Sequence, residues 1–252
     1  MSAGGAAVWR QFATLRRQLA RTDMSYRDKM TFAASRLLVM SRLSPTFRVA
    51  RLAILELRDA PAGVGRLRDL EVRRAGVADL EGLCAVDQTP ADLVRARLDQ
   101  GSLAFVGAVG GRILCHVWFN SGPVRCSDHD ITWPLEKGTF FSHNIAASPE
   151  AQGLGVLAQA FQNALVTLFA EQGARRVGCV VCPENLAALR LRLHVGFHRV
   201  GTVTSLTVPG ALIARWSCGG TRKHWIGRRG QEPRIDLPPM SMPGPSRLIT
   251  HT

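Results

Sequence analysis

The feature that most constrains this chain is a predicted strand, a glycine turn and a helix that follow one another over residues 139–169. Gly153 and Gly155 stand in the turn, and apolar residues recur after it with the 3.6-residue period of a helix. Glycines allow consecutive backbone N–H groups to point toward one centre, and a helix start adds unpaired donors and a positive dipole end. The pattern predicts a phosphate-binding turn, with an ordinary strand-to-helix turn as the alternative.

The elements around this turn predict an α/β domain with a mixed sheet. Helical and strand patterns alternate along the middle of the chain, and strand pairs joined through glycines predict β-hairpins. In chain order, the predicted elements are a strand at 67–74, helices at 77–86 and 89–98, a hairpin at 102–120, a polar loop at 121–138, the central strand and its helix, a strand at 175–182, a helix at 183–196 and a hairpin at 197–218.

The formal net charge of +13 is concentrated at the two ends of the chain. Residues 1–60 hold 11 Lys/Arg and 4 Asp/Glu, residues 61–210 hold 14 and 13, and residues 211–252 hold 7 and 2. We therefore predict a basic amphipathic helical extension at 1–60, a nearly neutral domain at 61–218 and a Gly/Pro/Arg-rich disordered tail at 219–252. Basic ends are suited to an acidic protein, anionic lipid or nucleic acid.

Within the extension, the apolar pattern predicts two or three helices, the first over residues 6–22 and the last over residues 46–57. Ser25 and Asp28 have the spacing of a capping box at the start of the second helix. Three interpretations stay open. The helices pack against the domain or a second subunit in a homodimer, they lie on a membrane surface through residues 1–58, or they form a mitochondrial presequence, which Asp23 and Asp28 argue against.

Several classes of protein do not fit the composition. We find no run of about 18 apolar residues and no signal-peptide pattern, which predicts a cytoplasmic protein that meets a membrane only at its surface. Six scattered cysteines fit a reducing compartment better than a disulfide framework. Cys179 and Cys182 point to opposite faces of a strand and have no second pair at zinc spacing, so we predict no metal. The arginines are not interleaved with aromatic residues, which argues against a nucleic-acid partner.

Two motifs carry a family resemblance. The glycine turn reads Glu150-Ala-Gln-Gly-Leu-Gly155, and a later segment reads Asn185-Leu-Ala-Ala-Leu-Arg-Leu-Arg192-Leu-His-Val-Gly-Phe197. Together, a helix and a strand apart, they resemble the pyrophosphate loop and the later signature of the GNAT superfamily of acyl-CoA-dependent N-acyltransferases. The resemblance covers residues 68–217. It implies a mixed central sheet of about seven strands flanked by helices, with acetyl-CoA or another acyl-CoA as co-substrate.

The resemblance also implies which residues bind the acyl-CoA. The central strand would splay from its neighbour, and the pantetheine would pair there with the backbone of Ile145 and Ala147. Asn185 would reach the pantetheine from the facing helix. A backbone N–H near Ile145 or Ala146 would donate to the thioester oxygen as it becomes an oxyanion. The backbone N–H groups that would hold the pyrophosphate belong to Gln152, Gly153, Leu154, Gly155 and Val156.

The sequence departs from the family's pattern at two positions. Glu150 replaces a basic or amide residue and brings a negative charge near the phosphates. Arg192 replaces a tyrosine that protonates the departing thiolate, and because an arginine cannot act as a general acid, we predict that it stabilises the thiolate or a CoA phosphate as a cation. His143 stands where many members carry an acidic base, and we predict the same role for it, with a structural histidine as the alternative. The polar loop at 126–130 supplies further candidates.

These features predict an N-acyltransferase that moves an acyl group from a CoA thioester to a primary amine by direct attack. The amphipathic extension favours a membrane-associated acceptor, such as an amino lipid or a sphingoid base. A second hypothesis is a catalytically silent GNAT-like module that binds a protein partner or an anionic membrane through its basic ends. The departures at Glu150 and Arg192 motivate this alternative.

Overall fold

The structure, a computed structural model, describes residues 20, 25–40, 48–62, 67, 69–126, 131–153, 155–228, 233–235 and 237, with only the backbone over 36–40. Its strands are β1 (Arg48–Leu57), β2 (Glu71–Arg74), β3 (Leu103–Val109), β4 (Arg112–Asn120), β5 (Val124–Cys126), β6 (Ile131–Trp133), β7 (Thr139–Ala147), β8 (Arg176–Val181), β9 (His198–Val208), β10 (Ala211–Cys218) and β11 (Thr221–Arg228). Its α-helices are α1 (Tyr26–Met40), α2 (Leu80–Asp87), α3 (Ala91–Asp99), α4 (Val156–Glu171) and α5 (Leu186–His194).

Nine of the strands form one sheet in the order β11-β10-β9-β1-β8-β7-β4-β3-β2, and β5 and β6 form a separate pair. β7 and β8 run parallel, whereas the other neighbouring pairs are antiparallel. The predicted mixed α/β sheet flanked by helices is therefore confirmed. The segment that the family resemblance covers contributes the expected seven strands to this sheet, and β1 and β11, which lie outside that segment, add two more.

The sheet separates two faces, which we name after the helices that cover them. On the α4 face, α4 and α5 cover the middle of the sheet, and Phe161 of α4 stacks between Phe119 and Phe197 at ring distances of 6.2 and 5.8 Å. The apolar stripe of α4 is fully buried at Leu165 and Leu168. Burial of such a leucine side chain contributes about 1.5–3 kcal/mol.

The α2 face is covered by different elements at its two ends. Successive side chains of a strand alternate between faces, so Trp118 on β4 points away from α4 and packs with Leu83 and Val94 of α2 and α3. Across the sheet, the β5–β6 pair, Ile235 and Leu237 cover β1, β9 and β10. Hydrogen bonds of 3.1 and 3.0 Å from the Thr132 N–H to the Pro233 carbonyl and from the Ile235 N–H to the Thr132 carbonyl hold these segments together.

Two predictions about the ends of the chain are wrong. Residues 46–57 do not continue the helical extension, because Arg48–Leu57 forms β1 between β8 and β9. Its second half is buried on both faces, and a short continuous apolar run has the same pattern in a buried strand as in a buried helix. Thr221–Arg228, predicted to be disordered, forms the edge strand β11. Charged, mostly exposed residues are typical of edge strands, so composition alone did not separate this strand from a tail.

Several local predictions are confirmed. The Ser25 side chain accepts a hydrogen bond of 3.2 Å from the Asp28 N–H and donates one of 2.6 Å to the Asp28 carboxylate, which is the predicted cap of α1. The hairpins β3–β4 and β9–β10, the two early helices and the strand–turn–helix around the glycines are present. The predicted helix at residues 6–22 falls almost entirely outside the described residues.

Candidate functional site

The parallel strands β7 and β8 are paired only at their start. The ladder joins Thr139, Phe140 and Phe141 to Arg176, Val177 and Gly178. Beyond it, β7 continues to Ala147 along β4, and β8 continues to Val181 along β1. The facing edges of the two central strands therefore separate, as the family resemblance implies, and backbone groups become available to a ligand between them.

A cavity of about 470 Å³ lies in this gap. Ile145 of β7, Val181 of β8 and Leu191 of α5 give it apolar walls, and Asn185 and Arg192 add polar groups. Ligand sites typically measure about 300–1,000 Å³ and combine apolar walls with a few polar groups. The cavity therefore suits an apolar ligand arm that also carries amide groups. Three of the predicted site residues, Ile145, Asn185 and Arg192, contribute to it.

The predicted phosphate turn follows β7 through a short 3-10 helix, Pro149–Ala151. Gly153 and Gly155 have φ of +81° and +76°, a left-handed conformation that favours glycine. Gly155 caps α4 without any side-chain hydrogen bond. The N–H groups in the first turn of this 16-residue helix thus have no side-chain cap, which leaves the arrangement that binds anions in other proteins.

The other residues predicted for this turn are close to it. Gln152 and Val156 flank the two glycines, while Leu154 lies outside the described residues. Ala146 and Ala147 end β7, where they are register partners of His116 and Cys115 on β4. All of the predicted binding residues that the structure describes therefore lie along one path, from the gap between β7 and β8 to the start of α4.

The carboxylate of Glu150 forms an ion pair with Arg112 at 2.5 Å. The two side chains are 46% and 71% exposed, so the pair contributes little to stability. It nevertheless places a positive charge beside the negative charge that the sequence puts near the phosphate turn. Arg112 comes from the β3–β4 hairpin, a segment in which the sequence motifs gave no sign of a phosphate contact.

Asn185 and Arg192 occupy the two ends of α5. Asn185 caps the helix, because its side-chain oxygen accepts a 3.1 Å hydrogen bond from the Ala188 N–H. Its side-chain amide group remains to donate into the cavity. Arg192 is 6% exposed, and its Nε donates to the Cys179 sulfur at 3.2 Å while one terminal nitrogen donates to the Ala188 carbonyl at 3.2 Å. Burial raises the pKa of Cys179, which Arg192 partly offsets, so the thiol stays neutral.

A second group of polar residues lies on the α2 face of the same strands. His116 on β4 is 1% exposed, and its Nε2 lies 3.3 Å from the Asp87 carboxylate at the end of α2. Burial alone would raise the pKa of Asp87, but hydrogen bonds from Thr89 and the proximity of His116 outweigh it and lower the pKa. Burial lowers the pKa of His116, against the opposing effect of Asp87. The pair is thus a neutral imidazole held by a carboxylate.

A β-bulge links this group to the gap. Val117 and Trp118 pair with Ile145 and His143, so Asn144 is an extra residue on β7. Asn144 has φ of +38°, an uncommon conformation for a residue other than glycine. Its side chain lies 3.5 Å from the Asp87 carboxylate, and the residue also lines the gap cavity. Strained residues of this kind occur where the surrounding structure fixes a functional geometry.

His143 lies beside the bulge on the α2 face. Its Nε2 is 3.1 Å from the side-chain oxygen of Asn120, and its ring is 6.5 Å from that of Trp118. Burial lowers the pKa of His143 to about 4, and the nearby charges of Arg97 and His116 act in the same direction. At neutral pH the imidazole is therefore uncharged and able to accept a proton.

The sequence motifs did not point to Asp87, His116, Asn120 or Asn144. The signal that could have identified them was their position, because Asn144 follows His143 directly and His116 sits in the strand that pairs with β7. Of the other loop candidates, Cys126 ends β5, and residues 127–130 lie outside the described residues. Among the described residues, no helix is long and apolar enough to cross a membrane, and no cluster of His, Cys, Asp or Glu could hold a metal ion.

No protein-family model matches the sequence, and no curated protein matches it. Solved structures do match in fold. A GCN5-related N-acetyltransferase from Kribbella flavida is 14% identical, with a TM-score of 0.48 over 69% of this chain and 64% of that one. A GNAT-family protein from Novosphingobium aromaticivorans is 17% identical, with a TM-score of 0.47 over 65% and 66%.

A GNAT-family acetyltransferase from Brucella melitensis, solved with acetyl-CoA, is 21% identical, with a TM-score of 0.35 over 44% of this chain and 73% of that one. The match spans less than two thirds of the length of the Kribbella and Novosphingobium proteins. In fold, this chain is similar to structures of the GNAT superfamily over about two thirds of its own length.

Proposed function

We propose that the protein is an N-acyltransferase that transfers an acyl group from a CoA thioester to a primary amine. The observation that carries the proposal is the gap where β7 separates from β8, with a glycine turn and an uncapped helix start at its end. A pantetheine arm needs backbone partners and apolar walls, and a pyrophosphate needs N–H donors. The two requirements are met along one path, in the order in which they occur in CoA.

In this proposal the acyl group lies near the bulge at Asn144, where the gap meets the α2 face. A primary amine with a pKa of about 10.4 must lose its proton before attack, which costs about 4.6 kcal/mol at pH 7. That proton passes to solvent. The amine nitrogen then bonds to the carbonyl carbon, and the C–O double bond becomes an oxyanion that a backbone N–H of Ile145 or Ala146 stabilises. Attack makes the nitrogen cationic and more acidic, and His143, which is neutral at this pH, accepts its second proton directly or through water.

The intermediate collapses when the C–O double bond re-forms and the C–S bond breaks with its electron pair on sulfur. The products are an amide and the CoA thiolate, and the proton taken up by His143 returns to the thiolate or to solvent. Arg192 cannot supply this proton, but its guanidinium lies in the cavity wall and attracts the developing negative charge. Stabilisation by charge would take the place of protonation by the family's tyrosine.

Asp87 and His116 are positioning residues in this proposal. They are buried behind the bulge, and Asp87 is within reach of the Asn144 side chain. By fixing Asn144 they would fix the backbone N–H groups that follow it on β7. We therefore expect His116→Gln to lower kcat by a larger factor than it raises KM for the acyl-CoA. His116→Asn, which introduces a smaller polar side chain at the same position, is the comparison.

The proposal is tested by isothermal titration of the full chain with CoA and acetyl-CoA, followed by an assay of thiol release with a panel of primary amines. We expect one molecule of CoA bound per chain, and amine-dependent release of thiol. If neither CoA nor any acyl-CoA binds, the proposal is wrong. Binding of CoA with no turnover for any amine or acyl chain would favour the silent-module hypothesis instead.

We also propose that the acceptor is a membrane-associated amine, such as an amino lipid or sphingoid base, and that the protein meets the cytoplasmic surface of a membrane. The motivation is the basic, amphipathic sequence within residues 1–47, which precede β1. The test is cosedimentation of the full chain with vesicles of phosphatidylcholine alone or of phosphatidylcholine with phosphatidylserine, which makes the surface anionic. The membrane proposal fails if the protein stays in the supernatant with both, and it leaves acyl transfer to soluble amines untouched.

A further inference from the structure

A second cavity lies away from the gap, between α1 and the strands β1, β9, β10 and β11. It measures about 560 Å³, within the range of ligand sites. Four arginines line it: Arg27 of α1, Arg51 of β1, Arg215 of β10 and Arg222 of β11. We refer to it as the arginine cavity.

The strand register places these side chains on one surface. Arg51 is the register partner of Thr204 on β9, and Thr204 is the register partner of Arg215 on β10. Ser217 on β10 pairs in the same way with Arg222 on β11. Directly opposed residues of antiparallel strands point to the same face. The cavity thus has a floor of guanidinium and hydroxyl groups on the α4 face of the sheet.

The positive charge of this cavity exceeds the nearby negative charge. Among the described residues that line it, none is an aspartate or glutamate. Asp28 is buried and does not line the cavity, and its carboxylate lies 2.7 Å from the Nε of Arg51. Burial lowers the pKa of Arg51, and the charges of Arg199 and Arg27 lower it further, against the effect of Asp28. Positive charges that line one cavity repel one another, and an anion bound among them reduces that repulsion.

The cavity also combines arginines from both basic parts of the sequence. Arg27 and Arg51 come from the first 60 residues, which carry 11 Lys/Arg against 4 Asp/Glu. Arg215 and Arg222 come from residues 211–252, which carry 7 against 2. A smaller adjoining cavity of about 320 Å³ shares Arg215 and Arg222 and adds Lys223 and His224. Charge that is separated along the sequence is therefore concentrated at one place in the fold.

We infer that the arginine cavity binds a phosphate-bearing ligand, as a phosphomonoester or polyphosphate group on a small molecule or on a lipid headgroup. Guanidinium groups bind phosphate oxygens through paired hydrogen bonds, which gives both affinity and geometry. Hydroxyls of Thr202, Thr204 and Ser217 are beside them to donate to further oxygens. The volume holds such a group together with part of the molecule that carries it. The inference does not rest on the proposed acyl transfer.

The test is isothermal titration of the full chain with tripolyphosphate at 50 mM salt, using Arg222→Gln and Arg228→Gln. Both arginines are exposed on β11, at opposite ends of the strand, and only Arg222 lines the cavity. We expect one strong site that Arg222→Gln weakens about tenfold or more and that Arg228→Gln leaves unchanged. A parallel titration of Gly153→Asp separates this site from the glycine turn and should retain the binding.

Vesicles distinguish the two sources of the phosphate group. Tripolyphosphate binding with no preference for vesicles of phosphatidylcholine plus phosphatidic acid over phosphatidylcholine alone identifies a soluble ligand. A preference for phosphatidic acid that Arg222→Gln reduces and Arg228→Gln does not identifies a lipid headgroup. The inference is overturned if Arg222→Gln and Arg228→Gln bind tripolyphosphate equally well, or if Gly153→Asp loses that binding. It is also overturned if the protein binds neither tripolyphosphate nor vesicles that contain phosphatidic acid.

Discussion

The gap between β7 and β8 and the arginine cavity are both open to the α4 face of the sheet, but they are built from different groups. The gap is formed by strand edges, a glycine turn and apolar side chains, with Asn185 and Arg192 as its polar additions. The arginine cavity is formed by charged side chains on an otherwise regular antiparallel sheet. Most substitutions leave the backbone groups of the gap in place, whereas a single substitution removes any one of the arginines. The first site therefore depends on backbone conformation and the second on side-chain charge.

Substitution of Gly153 tests whether ligand binding in the gap depends on the backbone conformation of the glycine turn. Gly153→Asp forces a side chain into a φ of +81° and adds a negative charge at the predicted phosphate turn. We expect CoA to bind at least ~100-fold more weakly, which corresponds to loss of about 3 kcal/mol. Isothermal titration of the wild type and of Gly153→Asp with CoA measures this loss of affinity.

The matched control is Gly210→Asp. Gly210 has φ of +75° in the β9–β10 turn, and both glycines have open space at the Cβ position, so the two substitutions share the backbone strain and the charge. Equal loss of CoA affinity in both variants would show that strain or net charge, and not the turn, decides binding.

The next effect concerns catalysis at the gap. His143→Gln removes the proposed base while keeping a side chain that can bond to Asn120. We expect kcat/KM for the amine to fall about 100-fold, the lower end for loss of a general base, because a base with so low a pKa takes up protons weakly. Steady-state thiol release measures it, with exposed His194→Gln on α5 as the control. An unchanged rate for His143→Gln would reduce His143 to a structural residue of the sheet.

A third prediction concerns the balance of charge in the arginine cavity. Asp28→Asn keeps the helix cap but leaves Arg51 without its carboxylate. We expect the free energy of unfolding to fall by about 2 kcal/mol, less than for a fully buried pair because Arg51 is partly exposed. Saturating tripolyphosphate should stabilise this variant more than the wild type, because the anion replaces the lost charge. Urea denaturation with and without tripolyphosphate measures both effects, and Asp92→Asn, at an exposed position, is the control. Equal stabilisation of the wild type and Asp28→Asn by tripolyphosphate would contradict this explanation.

A weaker effect concerns the pH dependence of stability at the gap. The pKa of His143 in the folded chain is about 4, below that of about 6.5 in the unfolded chain, so the unfolded state binds more protons as the pH falls. Stability should therefore fall by about 1 kcal/mol from this residue between pH 7 and pH 5.5. Urea midpoints of wild type and His143→Gln measure the difference, and parallel curves would refute it.

Much of the gap was predictable because its signals are local. The glycine turn, the helix after it and the cap at Asn185 are each specified by a few adjacent residues. The partners of these residues were not predictable in the same way. His116 and Asp87 lie 29 positions apart, and they meet because α2 packs against β4. No periodicity or motif in either segment specifies that contact.

Local patterns of residues specify the middle of the protein, from the alternating elements to the turn that precedes α4, and the composition places positive charge at both ends of the chain. The entry of β1 between β8 and β9, and the extension of the sheet edge by β11, became known from the fold. Those two pairings bring arginines from both basic parts of the sequence into one cavity. The physical reason is that strand pairing depends on backbone hydrogen bonds between distant segments, which every residue except proline can make and which leave no distinct pattern in the sequence.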